Sequence, residues 1–236
     1  MIKKDLMEKL NNIQAVILDM DGVLVDTEHL HMKAFELFLD LYSLKVEQDF
    51  LHTMIGTSIE DNFRMLFERF TVFRGKDMQK MIDARNRIYL DLIDQEPLQP
   101  ISGVIEILEY CKKNNLKTAL ASSSDKRQID KILLKLNSNH NLTLNFYNSF
   151  NTIVAGDSVR DKKPAPDIYL KALNELQADA KRTVAIEDSQ AGITSAKNAG
   201  IFCFALENPY NNVYQMSGTD YILNSLHDFV KYISNH

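Results

Sequence analysis

Two aspartates, Asp19 and Asp21, stand one residue apart in "ILDMDGVLVDTE" (Ile17–Glu28), where an apolar run ends beside Gly22. Side chains at i and i+2 of a strand point the same way. Both carboxylates are therefore aimed at one place beyond the strand's carboxyl end, where ligands bind in open α/β sheets. Like charges this close raise a pKa or recruit a cation. Taken alone, the pattern also fits a solvated turn finished by glycine. Three later segments change its meaning. "ALASSS" supplies Ser122, Ser123 and Ser124, whose backbone N–H groups at a helix start form a seat for phosphate. "KKPAPD" sets Lys163 ahead of two prolines, and "AIEDSQAG" supplies a second acidic pair, Glu187 and Asp188, with Ser189 opening the next helix. Singly these read as a helix cap, a surface lysine and a solvated helix start. Together they describe a hard-cation site with an anion-binding wall. Carboxylates, hydroxyls and a lysine suit Mg²⁺ and phosphate oxygens, and the absence of soft ligands argues against zinc.

The elements that must position these groups are legible as short apolar runs. Strands are expected at Ala15–Met20, Lys117–Ser124, Asn151–Gly156, Arg182–Ser189, Ile201–Leu206 and Asp220–Leu223. Runs this short and apolar throughout read as strands buried on both faces. Helical patterns separate them. Ile129, Ile132, Leu133 and Leu136 follow the spacing of one helix face, with Ser124 placed to cap it, and a helix from Gln190 to Ala199 should stop at Gly200. The alternation predicts an α/β fold, a doubly wound parallel sheet with a Rossmann-like core. Residues 28–97 break the pattern. They show no strand and several helical repeats, such as Ala34, Leu37, Phe38 and Leu41, before prolines and a glycine in "EPLQPISG" return the chain to the sheet. A catalytic core of residues 1–27 and 98–236 with an inserted helical cap at 28–97 follows. Its two short linkers would permit a hinge that opens and closes.

The composition bounds the rest. With 236 residues, 45% of them hydrophobic, the chain can bury a sizeable core and is not of disordered type. A net charge of −5 argues against nucleic acid or an anionic membrane as partner. Cys111 and Cys203 sit in apolar contexts as core thiols, without metal-site spacing. No apolar run reaches the ~18 residues of a membrane span. "MIKKDLMEKLNN" is charged and helical in pattern rather than signal-like, which places the expected compartment in the cytoplasm. The protein is expected as a monomer.

In their order and combination, "DMDGVLVDTE", "ALASSS", "KKPAPD" and "AIEDSQAGITSAKNAG" resemble the motifs of the haloacid dehalogenase superfamily of phosphotransferases, and within it the β-phosphoglucomutase-like branch with a small helical cap. The resemblance covers nearly the whole chain. It implies Asp19 as the nucleophile that becomes an aspartyl-phosphate. Asp21 would be general acid and then base, its backbone carbonyl touching the metal. Ser122, with Ser123 beside it, and Lys163 would hold phosphoryl oxygens. Asp188 would ligate Mg²⁺, with Glu187 as a ligand or its anchor. His31 and Arg85 (in "DARNRIYL") would match cap residues that face the substrate. One departure bears on the activity. In "IGTSIEDNF", Ile59 stands where the mutase has an arginine for the distal phosphate, and charge-assisted contacts are among the stronger polar ones.

The expected function is therefore a Mg²⁺-dependent phosphatase acting on a small phosphorylated metabolite such as a sugar phosphate, with a sugar-phosphate mutase as the alternative. A dehalogenase would need neither Asp21 nor a cation cage. A non-catalytic sensor on the same fold would not need every catalytic position filled. The stretch Lys135–Phe150 is longer than its counterpart in the family, and no function attaches to the extra length.

Overall fold

The computed structural model describes residues 10–139 and 144–234. Most of the N-terminal helical pattern, and residues 140–143 of the longer segment, lie outside the described residues. Six strands, β1 (Ala15–Leu18), β2 (Lys117–Ser122), β3 (Thr152–Ala155), β4 (Thr183–Glu187), β5 (Phe202–Leu206) and β6 (Tyr221–Leu223), form one sheet in the order β3-β2-β1-β4-β5-β6. Every neighbouring pair is parallel, with Ile17 of β1 level with Ala119 of β2 and Ala185 of β4. All six carboxyl ends therefore share one edge. The chain runs outward from β1 through β2 to β3, then crosses back to β4 on the other side of β1. That reversal is the switch point at which open α/β sheets bind ligands.

Nine α-helices are found among the described residues. They are α1 (Glu28–Asp40), α2 (Gln48–His52), α3 (Ile59–Arg69), α4 (Met78–Gln95), α5 (Val104–Lys113), α6 (Lys126–Asn137), α7 (Asp167–Leu176), α8 (Gln190–Asn198) and α9 (Leu226–Ser234). None is long and apolar enough to cross a membrane. The chain divides into two compact units. One holds the sheet and runs to Asp26 and again from Gln99, and the other is Thr27–Leu98.

In the sheet unit, alternate strand positions serve opposite faces. Ala15, Ile17, Ala119, Ala121, Ala185, Cys203 and Ala205 line one face, and their small side chains let Ile168, Tyr169 and Ala172 of α7 and Ile193 and Ala196 of α8 pack closely. The other face carries Val16, Leu18, Leu120, Ile186 and Phe204, all buried, with the Phe204 ring 5.1 Å from Phe229 of α9. Each such buried aliphatic or aromatic side chain contributes roughly 1.5–3 kcal/mol. Both cysteines are buried free thiols. Two local expectations are corrected. Asp125, not Ser124, caps α6. Its carboxylate accepts the Gln128 N–H while the Gln128 side chain accepts the Asp125 N–H, a reciprocal arrangement that a serine one residue earlier cannot reach. Leu41 does not join the buried face of α1. It follows the helix, 69% exposed, and Ala34, Phe35, Phe38 and Leu39 form the buried stripe.

The helical unit has its own aromatic core, built from Phe35, Phe38, Leu51, Phe63, Leu66, Phe73 and Ile82. Ser58 caps α3 by accepting the Asp61 N–H, and Ile59 opens that helix packed against this core. Arg85 of α4 is fully buried. Its guanidinium lies over the rings of Phe35 and Tyr89 and donates to the His31 carbonyl at 2.9 Å and to His31 Nδ1 at 2.8 Å. His31 stacks on Tyr89 with ring centroids 4.0 Å apart. A guanidinium has donors only, so Nδ1 must accept and the proton of neutral His31 sits on Nε2.

Candidate active site

Asp19 directly follows β1, and its N–H extends the β1–β4 pairing by donating to the Ile186 carbonyl at 3.1 Å. The chain then folds tightly on itself. The Met20 carbonyl accepts the N–H groups of Val23, Leu24 and Val25, and Gly22 takes a φ of +76° within the turn. The turn gives the two aspartates different surroundings. Asp19 is buried, whereas Asp21 is half-buried with Oδ2 3.2 Å from Ser124 Oγ and 3.5 Å from Ser122 Oγ. Ser122, the last residue of β2, is itself buried and accepts the Ser124 N–H, while Ser123 is exposed.

Lys163 arrives on the β3–α7 connection. Its ammonium donates to Asp19 Oδ1 and Glu187 Oε1, each at 2.6 Å, and to the Ala121 carbonyl at 3.0 Å. Its three protons thus have three acceptors. Glu187 ends β4 fully buried, and Oε1 also accepts the hydroxyl of Tyr169. Gly192 on α8 leaves room for this carboxylate, since a Cβ there would fall 1.9–2.2 Å from its atoms. Asp188 follows, and with Asp19 and Glu187 it offers one ligand atom each, all within 4.8 Å of one another. Three buried carboxylates with only oxygen donors fit a hard divalent cation.

Burial first, then the charge of Glu187, pushes the Asp19 carboxyl up to about 8. Lys163 pulls the other way without reversing the shift, and Asp21 adds only a smaller push. Burial works against the charged form of Lys163, but Asp19 and Glu187 outweigh it and hold the ammonium above its usual range. Burial and the Glu187 charge hold the Tyr169 phenol well above its ordinary value, so it remains a donor.

The sheet edge therefore brings together Asp19, Asp21, Ser122, Lys163, Glu187 and Asp188. His31 and Arg85 belong to the helical unit. Three further residues escaped the sequence reading. Tyr169 fits the apolar face of α7 and reads there as core. Asn208 and Asn211 follow β5, whose carboxyl end lies beside that of β4. Asn208 Nδ2 donates to Asp188 Oδ2 at 2.8 Å, and Asn211 Nδ2 donates to the Asp188 carbonyl at 2.8 Å. The available signal was their position, in a polar loop leaving a strand at the same edge.

Comparison with known proteins gives the family. Residues 16–206 match the family described as haloacid dehalogenase-like hydrolase. The chain is 32% identical to a phosphorylated carbohydrates phosphatase of Thermotoga maritima, over 80% of this chain and 82% of that one. It is 31% identical to a beta-phosphoglucomutase of Bacillus subtilis, over 80% and 81% respectively. The crystal structure of CbbY from Rhodobacter sphaeroides in complex with phosphate shares the fold, with a TM-score of 0.80 at 24% identity over 92% of this chain and 96% of that one. The chain belongs to the haloacid dehalogenase-like hydrolase family and is an enzyme of that class.

Proposed function

We propose that the protein is a Mg²⁺-dependent phosphatase that hydrolyses a small phosphorylated metabolite, probed first with sugar phosphates. The observation that carries this reading is the contrast between two neighbouring carboxylates. Asp19 is buried on Lys163 beside Glu187 and Asp188, and Asp21 is half-buried on serine hydroxyls. Different environments give two carboxylates different roles.

On this reading an Asp19 oxygen attacks phosphorus. The bond from phosphorus to the leaving oxygen breaks as Asp21 gives that oxygen a proton. Water then attacks the aspartyl-phosphate, Asp21 takes the water's proton, and the bond to Asp19 breaks to release phosphate. Lys163, already on Asp19 Oδ1, is placed to follow negative charge from the carboxylate onto the phosphoryl oxygens. Ser122 and the neighbouring N–H groups, Ser123 included, are assigned the remaining phosphoryl contacts. Asp19, Asp188 and the Asp21 carbonyl would hold Mg²⁺ with Glu187 beside them, and the ion when bound supplies charge against the phosphoryl group. In the helical unit we assign His31 the contact with substrate and Arg85 the task of holding its ring.

A panel of phosphorylated metabolites assayed for phosphate release, with Mg²⁺ and with chelator, tests the reading. Release that requires Mg²⁺ is expected, and no release from any member would overturn it. The Bacillus subtilis relative favours a second reading, a mutase. Ile59 weighs against it, because an apolar side chain packed into the helical core offers a distal phosphate no charge. With β-glucose 1-phosphate and its bisphosphate as primer, glucose 6-phosphate as the main product would establish the mutase instead.

A further inference from the structure

We infer that Asn208 is a positioning residue that commits Asp188 to meet a divalent cation through one oxygen, and so sets the preference of this site for Mg²⁺ over Ca²⁺. The inference rests on the cation-dependent reading above and goes beyond it to name what selects the ion.

Asp188 Oδ2 is enclosed from two sides. Asn208 Nδ2 donates to it at 2.8 Å, and on the other side it lies against Gly22, where an added Cβ would fall only 1.9 Å away. Asn208 cannot readily turn from this task. Its own Oδ1 accepts the Tyr210 N–H at 2.9 Å, which fixes the opposite end of the amide as the NH₂ that faces Asp188. Its main chain is held as well. The Asn208 N–H donates to Asn211 Oδ1 at 3.1 Å, while Asn211 Nδ2 bonds the carbonyls of both Asp188 and Leu206. The two asparagines form a bracket that fixes the end of β5 to the residue after β4.

The chemistry of the two ions differs in the relevant respect. Mg²⁺ requires a near-octahedral set of short oxygen contacts. Ca²⁺ accepts six to eight oxygens and commonly takes a carboxylate through both of its atoms. Chelation by both Asp188 oxygens would require Oδ2 to serve the ion with its remaining lone pair while Asn208 holds the other, and to shift from its seat against Gly22. A one-oxygen Asp188 favours the smaller ion. Residues that orient a ligating carboxylate typically change metal affinity by about 10- to 100-fold when removed.

The test is calorimetric titration of the full-length protein, stripped of metal, with Mg²⁺ alone and with Ca²⁺ alone. Wild type is compared with Asn208→Ala and Asn208→Ser, and with Asp188→Ala to show that the heat reports this site. Thermal unfolding of the metal-free proteins checks that each variant is folded, and the serine variant carries the comparison if the alanine variant is not. The expected result is a loss of Mg²⁺ affinity of about tenfold or more, with Ca²⁺ affinity held or raised, so that the ratio of the two falls. Equal weakening for both ions, or no change for either, would overturn the inference while leaving the phosphatase reading intact. Absence of Mg²⁺ binding by wild type would overturn both.

Discussion

Asp19 shares its buried ammonium with Glu187, since Lys163 Nζ stands 2.6 Å from each carboxylate. One positive charge stands between two buried carboxylates, and burial first, then the Glu187 charge, raise the Asp19 pKa against the pull of Lys163. Asp19→Asn should retain the fold and lose turnover by on the order of 10⁴-fold or more, because an amide is a poor nucleophile. Single-turnover phosphate release measures this, and near-normal rates would reassign the nucleophile. The same pKa gives a pH prediction. An unfolded Asp19 would titrate near the ordinary aspartate value of 3.8, whereas the folded, metal-free protein holds its proton to about pH 8. The stability Asp19 lends the metal-free protein is therefore present at low pH and is lost as pH rises through about 8. Below that pH a cation must displace the proton. The gain in Tm from a fixed Mg²⁺ concentration should thus grow between about pH 6 and about pH 9. A gain that is flat or falls with pH would show that proton and cation do not compete here. The two aspartates drew the eye in the sequence as mutually repelling neighbours. In the structure the stronger repulsion on Asp19 comes from Glu187, a partner remote along the chain and so not identifiable from spacing.

Among the elements, the strands were the most legible, because a strand buried on both faces is written as an unbroken apolar run. What escaped were contacts that join elements. Tyr169 follows the same helical spacing as Ile168, Ala172 and Leu173, so nothing in α7 marks its hydroxyl as the partner of Glu187. The asparagine bracket is equally silent, since each amide looks like loop polarity until β5 is set beside β4. The α8 start shows how close these joins are. Gly192→Ala would drive a Cβ into the Glu187 carboxylate, which Lys163 and Tyr169 hold in place. A loss of about 2 kcal/mol is expected in urea unfolding, by overpacking against a fixed group. In the helical unit, Arg85 fastens α4 to α1 through both the carbonyl and the ring of His31. Arg85→Ala should cost about 3 kcal/mol through the cavity and the lost buried hydrogen bonds. Calorimetric unfolding would show it, and an unchanged transition would mean that neither the bulk of the side chain nor its hydrogen bonds hold α4 to α1.

At the scale of the whole molecule, six parallel strands present every carboxyl end at one edge, so residues from four separate segments meet there without any long loop having to reach. The chain leaves that sheet unit after Asp26 and returns at Gln99. The two crossings lie side by side, with Val25 bridged antiparallel to Pro100 and the Ile101 N–H donating to the Leu24 carbonyl at 2.9 Å. This doorway has a consequence for how the protein is assembled and how it could diversify. Pairing β1 with β2 across a floppy insert carries a loop-closure cost that rises with insert length. An insert that folds by itself, with its ends already adjacent, acts on the sheet as a loop of a few residues. On that footing the sheet should gain little from the helical unit's length and lose little by its removal. A chain in which residues 27–98 are replaced by a short glycine–serine linker should still unfold cooperatively, with the far-ultraviolet signature of an α/β protein. Failure to fold would show that the doorway is not self-supporting. If it holds, the helical segment is a cassette, free to be exchanged in evolution or by design while the chemistry at the sheet edge stays in place.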